Sequence, residues 1–359
     1  MRRNAHITLA DIAGRLNVSR VTVSKALRGH PDISEEMAKK IRKLATDLGY
    51  SPNRMARNLS SRRSHLLGLV VPKIAHFFFG SVIESVYNRA LDHQYETILM
   101  VSHENEEQEV RHLQTLVSMR VDGIIISVSA RTRDISVFDW IKKVGIPLLF
   151  MDRLPDPAPK NSVAVLVDDY GGATRAVRQA LSLGYETIAF LGGDRNINIG
   201  RDRLRGYEEA LRSAGREINK ELIVPGGYGT DAGYEGFMRL MSRGALPRCI
   251  FAVTYPVALG VYEAAKANGV RIPSDVDVIC FGDSDVGRLI TPALSCVGQP
   301  TQRLGEESVN VMMKMIESPE SVVPGNIIIP TELILRETCV GTGSPSAQNS
   351  LARIRNAVP

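Results

Sequence analysis

Apolar residues recur three and four positions apart in three short stretches near the start of the chain, the spacing that puts them on one face of a helix. Leu9, Ile12, Ala13 and Leu16 form the first stripe, Val23, Ala26 and Leu27 the second, and Met37, Ile41, Leu44, Ala45 and Leu48 the third. The pattern predicts helices over 9–16, about 20–28 and about 35–48. Asn17-Val18 is the turn between the first two. Ser19 and Ser34 stand where an N-cap accepts from a backbone N–H of the first turn, and Gly29 and Gly49 stand where glycine ends a helix. Two short helices joined by a tight turn make a helix-turn-helix, whose second helix enters the major groove of DNA. Arg20, Val21, Ser24 and Lys25 are the positions left facing out on that helix.

From residue 66 the rhythm changes. Short apolar runs over 66–71, 97–101, 123–127 and 147–151 read as buried parallel strands, with amphipathic helices over about 80–93, 106–120 and 137–144 between them. A second series follows, with strands over 163–167, 187–191, 250–253 and 278–281 and helices over about 171–183, 203–214, 231–242 and 257–268. Strands alternating with helices predict doubly wound parallel sheets, here in two lobes. The echo of Gln94-Tyr95-Glu96-Thr97-Ile98 in Gly184-Tyr185-Glu186-Thr187-Ile188 supports two related lobes. A helix near 301–316 and a single strand near 326–335 finish the body. The expected organisation is a head over 1–50, a hinge and linker over 51–65, a two-lobed body over 66–340, and a flexible tail over 341–359. The first lobe is expected to take about 66–162 and 296–323, and the second about 163–293 and 326–340.

Charge separates the two parts. Residues 1–65 hold 14 Lys and Arg against 5 Asp and Glu, a net +9, whereas the 359-residue chain is only +5, so the body carries −4. A basic head on a mildly acidic body points to a polyanionic partner at one end. The four cysteines are far apart, form no CxxC pair and read as small apolar residues of a reducing cytosol. No apolar run follows the basic N-terminus, and none approaches the roughly 20 residues a membrane span needs, so a cytoplasmic protein without membrane contact is expected.

Between head and body, Ser51-Pro52 breaks the chain, and 53–60 is long enough for about two helical turns. A helix shorter than about 12–15 residues is marginal in water, so this one is expected to form only when something else holds it.

Thr8-Leu9-Ala10-Asp11-Ile12-Ala13, then Val18-Ser19-Arg20-Val21-Thr22-Val23-Ser24-Lys25-Ala26-Leu27, then Gly49-Tyr50-Ser51-Pro52-Asn53-Arg54-Met55-Ala56-Arg57-Asn58-Leu59 occur in order. Together they resemble the head of the lactose-repressor (LacI/GalR) family of bacterial transcription regulators, and the resemblance runs to about Val340. It implies a multidomain fold: an all-α helix-turn-helix head on an α/β two-lobed, periplasmic-binding-protein-like body. It also implies a homodimeric repressor on a pseudo-palindromic operator in double-stranded DNA, switched by a small effector between the lobes. The expected DNA contacts are Thr8, Ser19, Arg20, Val21, Thr22, Ser24 and Lys25 in the head and Asn53, Arg54, Ala56, Arg57 and Leu59 in the hinge. Leu59 is the expected minor-groove wedge.

Ligands of open α/β sheets bind beyond the C-terminal ends of strands. That rule and the resemblance together give Phe77, Phe79, Asp152, Arg203, Tyr228, Thr254, Asp283 and Gln299 as effector contacts. The expected effector is a carbohydrate or a derivative such as a sugar acid or phosphate. Two departures bear on it. Thr254-Tyr255-Pro256 stands where the family has Asn-Asp, and Gly282 stands where it has the first of two Asp. With Arg203 kept, and Lys73 and Arg201 near in sequence, these shift the expected cleft towards positive charge.

Enzyme signatures are missing: no GxGxxG, P-loop, HExxH or GxSxG is present, and the seven His have no metal-ligand spacing. No catalytic residue, metal or cofactor is expected. Two other readings remain: the same DNA-binding role controlled by a protein corepressor, or a sugar-binding protein or enzyme with an incidental basic N-terminus.

Overall fold

The computed structural model describes residues 7–50, 63–75, 77–244 and 246–339. The chain divides into two compact units between Ser64 and His65. The expected hinge helix, with Asn53, Arg54, Ala56, Arg57 and Leu59, lies outside the described residues, as does the tail.

The first unit has three helices, α1 (Leu9–Leu16), α2 (Arg20–Leu27) and α3 (Glu35–Asp47). Each starts on a side-chain cap. Thr8 accepts from Asp11 N–H while the Asp11 carboxylate accepts from Thr8 N–H, and Ser19 and Ser34 cap the next two. Ile12, Val23, Ala26 and Ile41 are fully buried where the three stripes meet.

The second unit holds two six-stranded sheets. The first has the order β11-β5-β4-β3-β1-β2 and the second β12-β10-β9-β8-β6-β7. Their strands are β1 (Leu66–Val71), β2 (Glu96–Val101), β3 (Gly123–Ile126), β4 (Leu148–Met151), β5 (Val163–Val167), β6 (Ile188–Leu191), β7 (Ile223–Val224), β8 (Cys249–Ala252), β9 (Asp277–Phe281), β10 (Ser295–Gly298), β11 (Gly325–Ile329) and β12 (Glu332–Ile334). All pairings are parallel except that of β10 with β12. The central strands are buried on both faces, which is why they read as unbroken apolar runs. All four cysteines are buried free thiols. Among the described residues no helix is long and apolar enough to cross a membrane.

Three lobe assignments are corrected. β5 pairs with β4 and closes the first sheet instead of opening the second. β10 pairs with β9, so it belongs to the second sheet. The expected single strand over 326–335 is two strands in different sheets: β11 pairs with β5, and β12 with β10. Pro330, lacking an N–H and fixed in φ, ends the first of them. Which sheet an apolar run joins is decided by pairing partners far away in sequence, which local periodicity does not encode.

The chain therefore crosses between the lobes three times, after β5, after β10 and after β11. Two crossings are tied together. Asp168 N–H donates to Ile329 O at 2.8 Å, and Arg175 donates to Thr331 O at 2.9 Å and reaches the Asp168 carboxylate at 3.3 Å. The helices over the second sheet pack backbone to backbone. A Cβ at Gly260 would lie 2.0 Å from Thr230 O, and one at Gly233 2.0 Å from Val257 O.

Candidate nucleic-acid interface and ligand cleft

The outward face of α2 carries the expected base readers. Val21 is 63% exposed on that face. Arg20 is exposed beside it. Ser19 and Thr22 hydroxyls are 2.8 Å apart at the helix start. Ser24 is half-buried, and its carbonyl accepts from Arg28 Nε at 3.1 Å. The Lys25 ammonium lies 2.6 Å from the Asp32 carboxylate. Thr8 spends its hydroxyl on the α1 cap.

In the body, all eight expected effector contacts line one cavity of about 230 Å³. Phe77 opens helix Phe77–Asp92 and is exposed at the mouth, while Phe79 is buried in the wall. Thr254 caps helix Tyr255–Ala267 and donates to Tyr228 O at 2.9 Å. Tyr228 holds the loop after β6, its hydroxyl accepting from Asp194 N–H at 3.0 Å and donating to Asp194 O at 2.7 Å. Asp283 accepts from Arg336 at 2.7 Å; burial opposes its charge, but Arg336 outweighs that and holds the carboxyl below its ordinary range. Gly282 has φ +94°, and a Cβ there would sit 3.1 Å from the Gln299 side-chain oxygen. A side chain in that place would be strained and would crowd Gln299.

Arg203 is 2% exposed. Its Nε and Nη2 are both 2.8 Å from Asp169 Oδ1, Nη1 donates to Val253 O at 2.7 Å, and the guanidinium lies 3.7 Å from the Phe281 ring centroid. These contacts anchor the guanidinium in the wall of the cavity that it lines. Burial raises the Asp169 carboxyl to about 6 against the pull of Arg203.

Two groups the sequence reading passed over sit at the heart of the cavity. Arg153 lies between the rings of Phe79 and Tyr228, at 5.5 and 5.3 Å from their centroids. Its Nη1 donates to Glu104 at 2.9 Å. Arg153 Nε and Asp152 Oδ1 are buried without a hydrogen-bond partner among the described residues. Such groups are costly unless a ligand or water satisfies them. Asp152 and Glu104 hold positive φ of 64° and 56° at strand ends, a strain typical of functional loops. Burial lifts the Asp152 carboxyl to about 7, with Arg153 opposing. The signal for both missed groups was present: Arg153 directly follows Asp152, and Glu104 stands three residues past β2.

The expected positive cleft is met only in part: Lys73 lines the cavity, close enough to Glu104 to help lower its carboxyl. Arg201 is held by Asp156 and Asp202 and does not line the cavity. Arg153 and Arg203 line it, but each is matched by a carboxylate. Such pairing across 34 and 49 residues is invisible to local counting.

Glu104 also belongs to a carboxylate clamp. Ala130, Ser129 and Asp134 N–H groups donate to Glu104, Glu109 and Glu106 at 2.8, 2.7 and 2.7 Å, which hangs the loop after β3 on helix Glu106–Ser118. Burial raises the Glu109 carboxyl to about 7. A raised carboxyl binds its proton more tightly in the folded state. Its contribution is therefore full below the unfolded pKa and falls as pH rises through about 7. Glu109→Gln should match the wild type near pH 4.5. It should exceed it by on the order of 2–3 kcal/mol at pH 8, in urea unfolding across pH. Parallel curves for the two proteins would refute this.

Residues 8–53 match the model for bacterial regulatory proteins of the lacI family, and 177–339 match a periplasmic binding protein-like domain. The probable HTH-type transcriptional repressor ExuR of Bacillus subtilis is 31% identical over 336 residues, covering 92% of this chain and 98% of that one.

The chain belongs to the LacI family of bacterial regulatory proteins.

It is a DNA-binding transcriptional regulator with a helix-turn-helix head and a two-lobed body. Catabolite control protein A of Priestia megaterium, 28% identical over 335 residues, covers 93% of this chain and 99% of its own length. Among solved structures, the transcriptional regulator CelR–cellobiose complex superposes with TM-score 0.71 at 26% identity, over 92% of this chain and 99% of that one. The Lac repressor dimer bound to operator and the anti-inducer ONPF shares the fold, with TM-score 0.82 at 24% identity, over 93% of this chain and 99% of that one. The LacI family consists of transcriptional regulators rather than enzymes.

Proposed function

We propose that this LacI-family chain represses bacterial genes by binding a pseudo-palindromic operator as a homodimer, and that a small carbohydrate or derivative in the interlobe cleft switches it. The observation that carries the ligand reading is the cavity itself. Aromatic walls surround a carboxyl and a guanidinium whose Asp152 Oδ1 and Arg153 Nε are buried and unsatisfied. At about 230 Å³ it lies below the usual range of ligand pockets, which starts at about 300 Å³, and suits a small ligand of monosaccharide size. Arg153 and Arg203 are matched by carboxylates, and Lys73 shares the cavity with Glu104, Asp152 and Asp283, so an uncharged carbohydrate fits better than a sugar phosphate. The CelR–cellobiose complex is a related fold holding a carbohydrate. The Lac repressor dimer on its operator is the parallel for the DNA-bound dimer.

In the DNA reading, Val21 meets a thymine methyl, Arg20 reads a base, and Lys25 reaches guanine O6 and N7. A base contact of that kind is worth about 1–3 kcal/mol of discrimination. Lys25→Ala should relax preference at one operator position by that amount, measured by gel shift on singly substituted operators. Equal weakening on every sequence would make Lys25 a phosphate contact instead. Calorimetry of the full chain against neutral sugars, sugar acids and sugar phosphates tests the ligand class. The expected result is binding by a neutral carbohydrate. Binding only by phosphorylated sugars, or by none of the three, would overturn it.

A further inference from the structure

We propose that Glu104 sets the charge of the ligand: its carboxylate, fixed on Arg153, turns away sugar acids and leaves the cavity selective for uncharged carbohydrate. This rests on the reading of the cavity as a carbohydrate site. Among the described residues three carboxyls line the cavity, those of Glu104, Asp152 and Asp283, and they differ. Asp283 accepts from Arg336, which does not line the cavity, so its loss would free no cation there. Burial lifts the Asp152 carboxyl to about 7, which leaves it only partly charged near neutral pH. Glu104 stays charged: burial opposes this, but Arg153, the Ala130 N–H and Lys73 together hold its carboxyl below the ordinary range. Both its oxygens are engaged, one accepting from Arg153 Nη1 at 2.9 Å and the other from Ala130 N–H at 2.8 Å. The carboxylate is thus held in place on the guanidinium.

An uncharged sugar does not disturb that pair. Arg153 Nε is left for it, since the Asp152 carboxylate lies 3.9 Å away, beyond hydrogen-bond reach. A sugar hydroxyl can accept from Nε, and a hydroxyl can donate to Asp152 Oδ1, while Nη1 stays with Glu104. A sugar acid enters on different terms. Its carboxylate is drawn to the same guanidinium and must sit beside Glu104. Two carboxylates a few ångströms apart in a buried site repel strongly, because the interior screens charge far less than water does. Glu104 therefore lowers affinity for the acid and spares the uncharged sugar of the same shape, which is selectivity by an opposing charge. Without that charge, Arg153 and Lys73 would both face an entering acid.

The test is calorimetry of the full chain with matched pairs that differ only in a carboxylate: glucose and glucuronate, galactose and galacturonate, mannose and mannuronate. Wild type should prefer the hexose of the pair it binds. Glu104→Gln should move the ratio of affinities towards the uronate by about tenfold or more. Glu104→Ala opens room beside Arg153 for formate. It should show the same shift, and added formate should reverse it by restoring the missing charge. Glu106→Gln is the control, because Glu106 accepts from Asp134 N–H at 2.7 Å in the same clamp and does not line the cavity. It should leave the ratio as in wild type. A folded Glu104→Gln that keeps the wild-type ratio or binds neither sugar, an equal shift in Glu106→Gln, or a shift in Glu104→Ala that formate does not reverse would each overturn the proposal. So would failure of both Glu104 variants to fold, which would make the residue a strut. Wild type that binds a hexose, beside variants whose ratio does not move, removes this proposal alone. Wild type that prefers uronates, or binds neither class, removes the reading of an uncharged ligand and this proposal with it.

Discussion

Arg203→Ala is expected to lower the stability of the body by about 3–5 kcal/mol, because removing one partner of a buried ion pair strands the other. Asp169 is 3% exposed and has Arg203 as its ion-pair partner, with the amide of Asn198 reaching its second oxygen at 3.4 Å. Without the guanidinium, Asp169 must take up a proton or pull in water. Val253 O loses its donor and Phe281 its stacking partner at the same time. Arg203, an expected effector contact, does line the cavity. The geometry makes it the beam of the cleft wall, so the same change should impair everything the body does. Chemical unfolding of wild type and variant measures the difference. Arg203→Met with Asp169→Leu should recover part of the loss, since an apolar pair can replace a buried ionic one. A loss below about 1 kcal/mol for Arg203→Ala would place that pair in a far wetter site than its burial indicates.

Arg153→Met is expected to abolish carbohydrate binding, with a loss of affinity of about 100-fold or more, and to cost about 3 kcal/mol in the body. Methionine keeps an apolar stem between Phe79 and Tyr228, so the change removes mainly charge and donors. Glu104 then loses the cation that keeps its carboxyl below the ordinary range despite burial, and Asp152 loses the neighbour that restrains its rise. Both carboxyls should hold protons at higher pH in the variant. Calorimetry with the bound carbohydrate and a pH series of unfolding curves read the two effects. Unchanged ligand affinity would remove Arg153 from the site.

What the sequence made legible is mostly what is local. The three head helices and their caps are written in spacings of three and four and in Thr8, Ser19 and Ser34, all within one turn of the helix they start. Strands β1 to β6, β8 and β9 are runs of four to six residues, and all eight expected contacts fall on one cavity because the strand-end rule and the family resemblance point to the same place. Long-range pairing was hidden. Nothing in Val163–Val167 says that it joins β4, and only the break at Pro330 hints that β11 and β12 part company. Charge balance was hidden for the same reason. Arg203 with Asp169, and Arg153 with Glu104, meet only when helices and strand ends are stacked.

On the proposed function, ligand in the cleft changes how the head holds DNA. The most direct measurement is equilibrium binding of the full chain to its selected operator, by fluorescence anisotropy, with and without the carbohydrate that calorimetry shows to bind. Operator affinity is expected to be at least about 1,000-fold above that for unrelated DNA, and to shift by about fivefold or more when the carbohydrate is present. By linkage, operator DNA should change carbohydrate affinity by the same factor. Operator affinity that stays the same at saturating carbohydrate would rule out that switch.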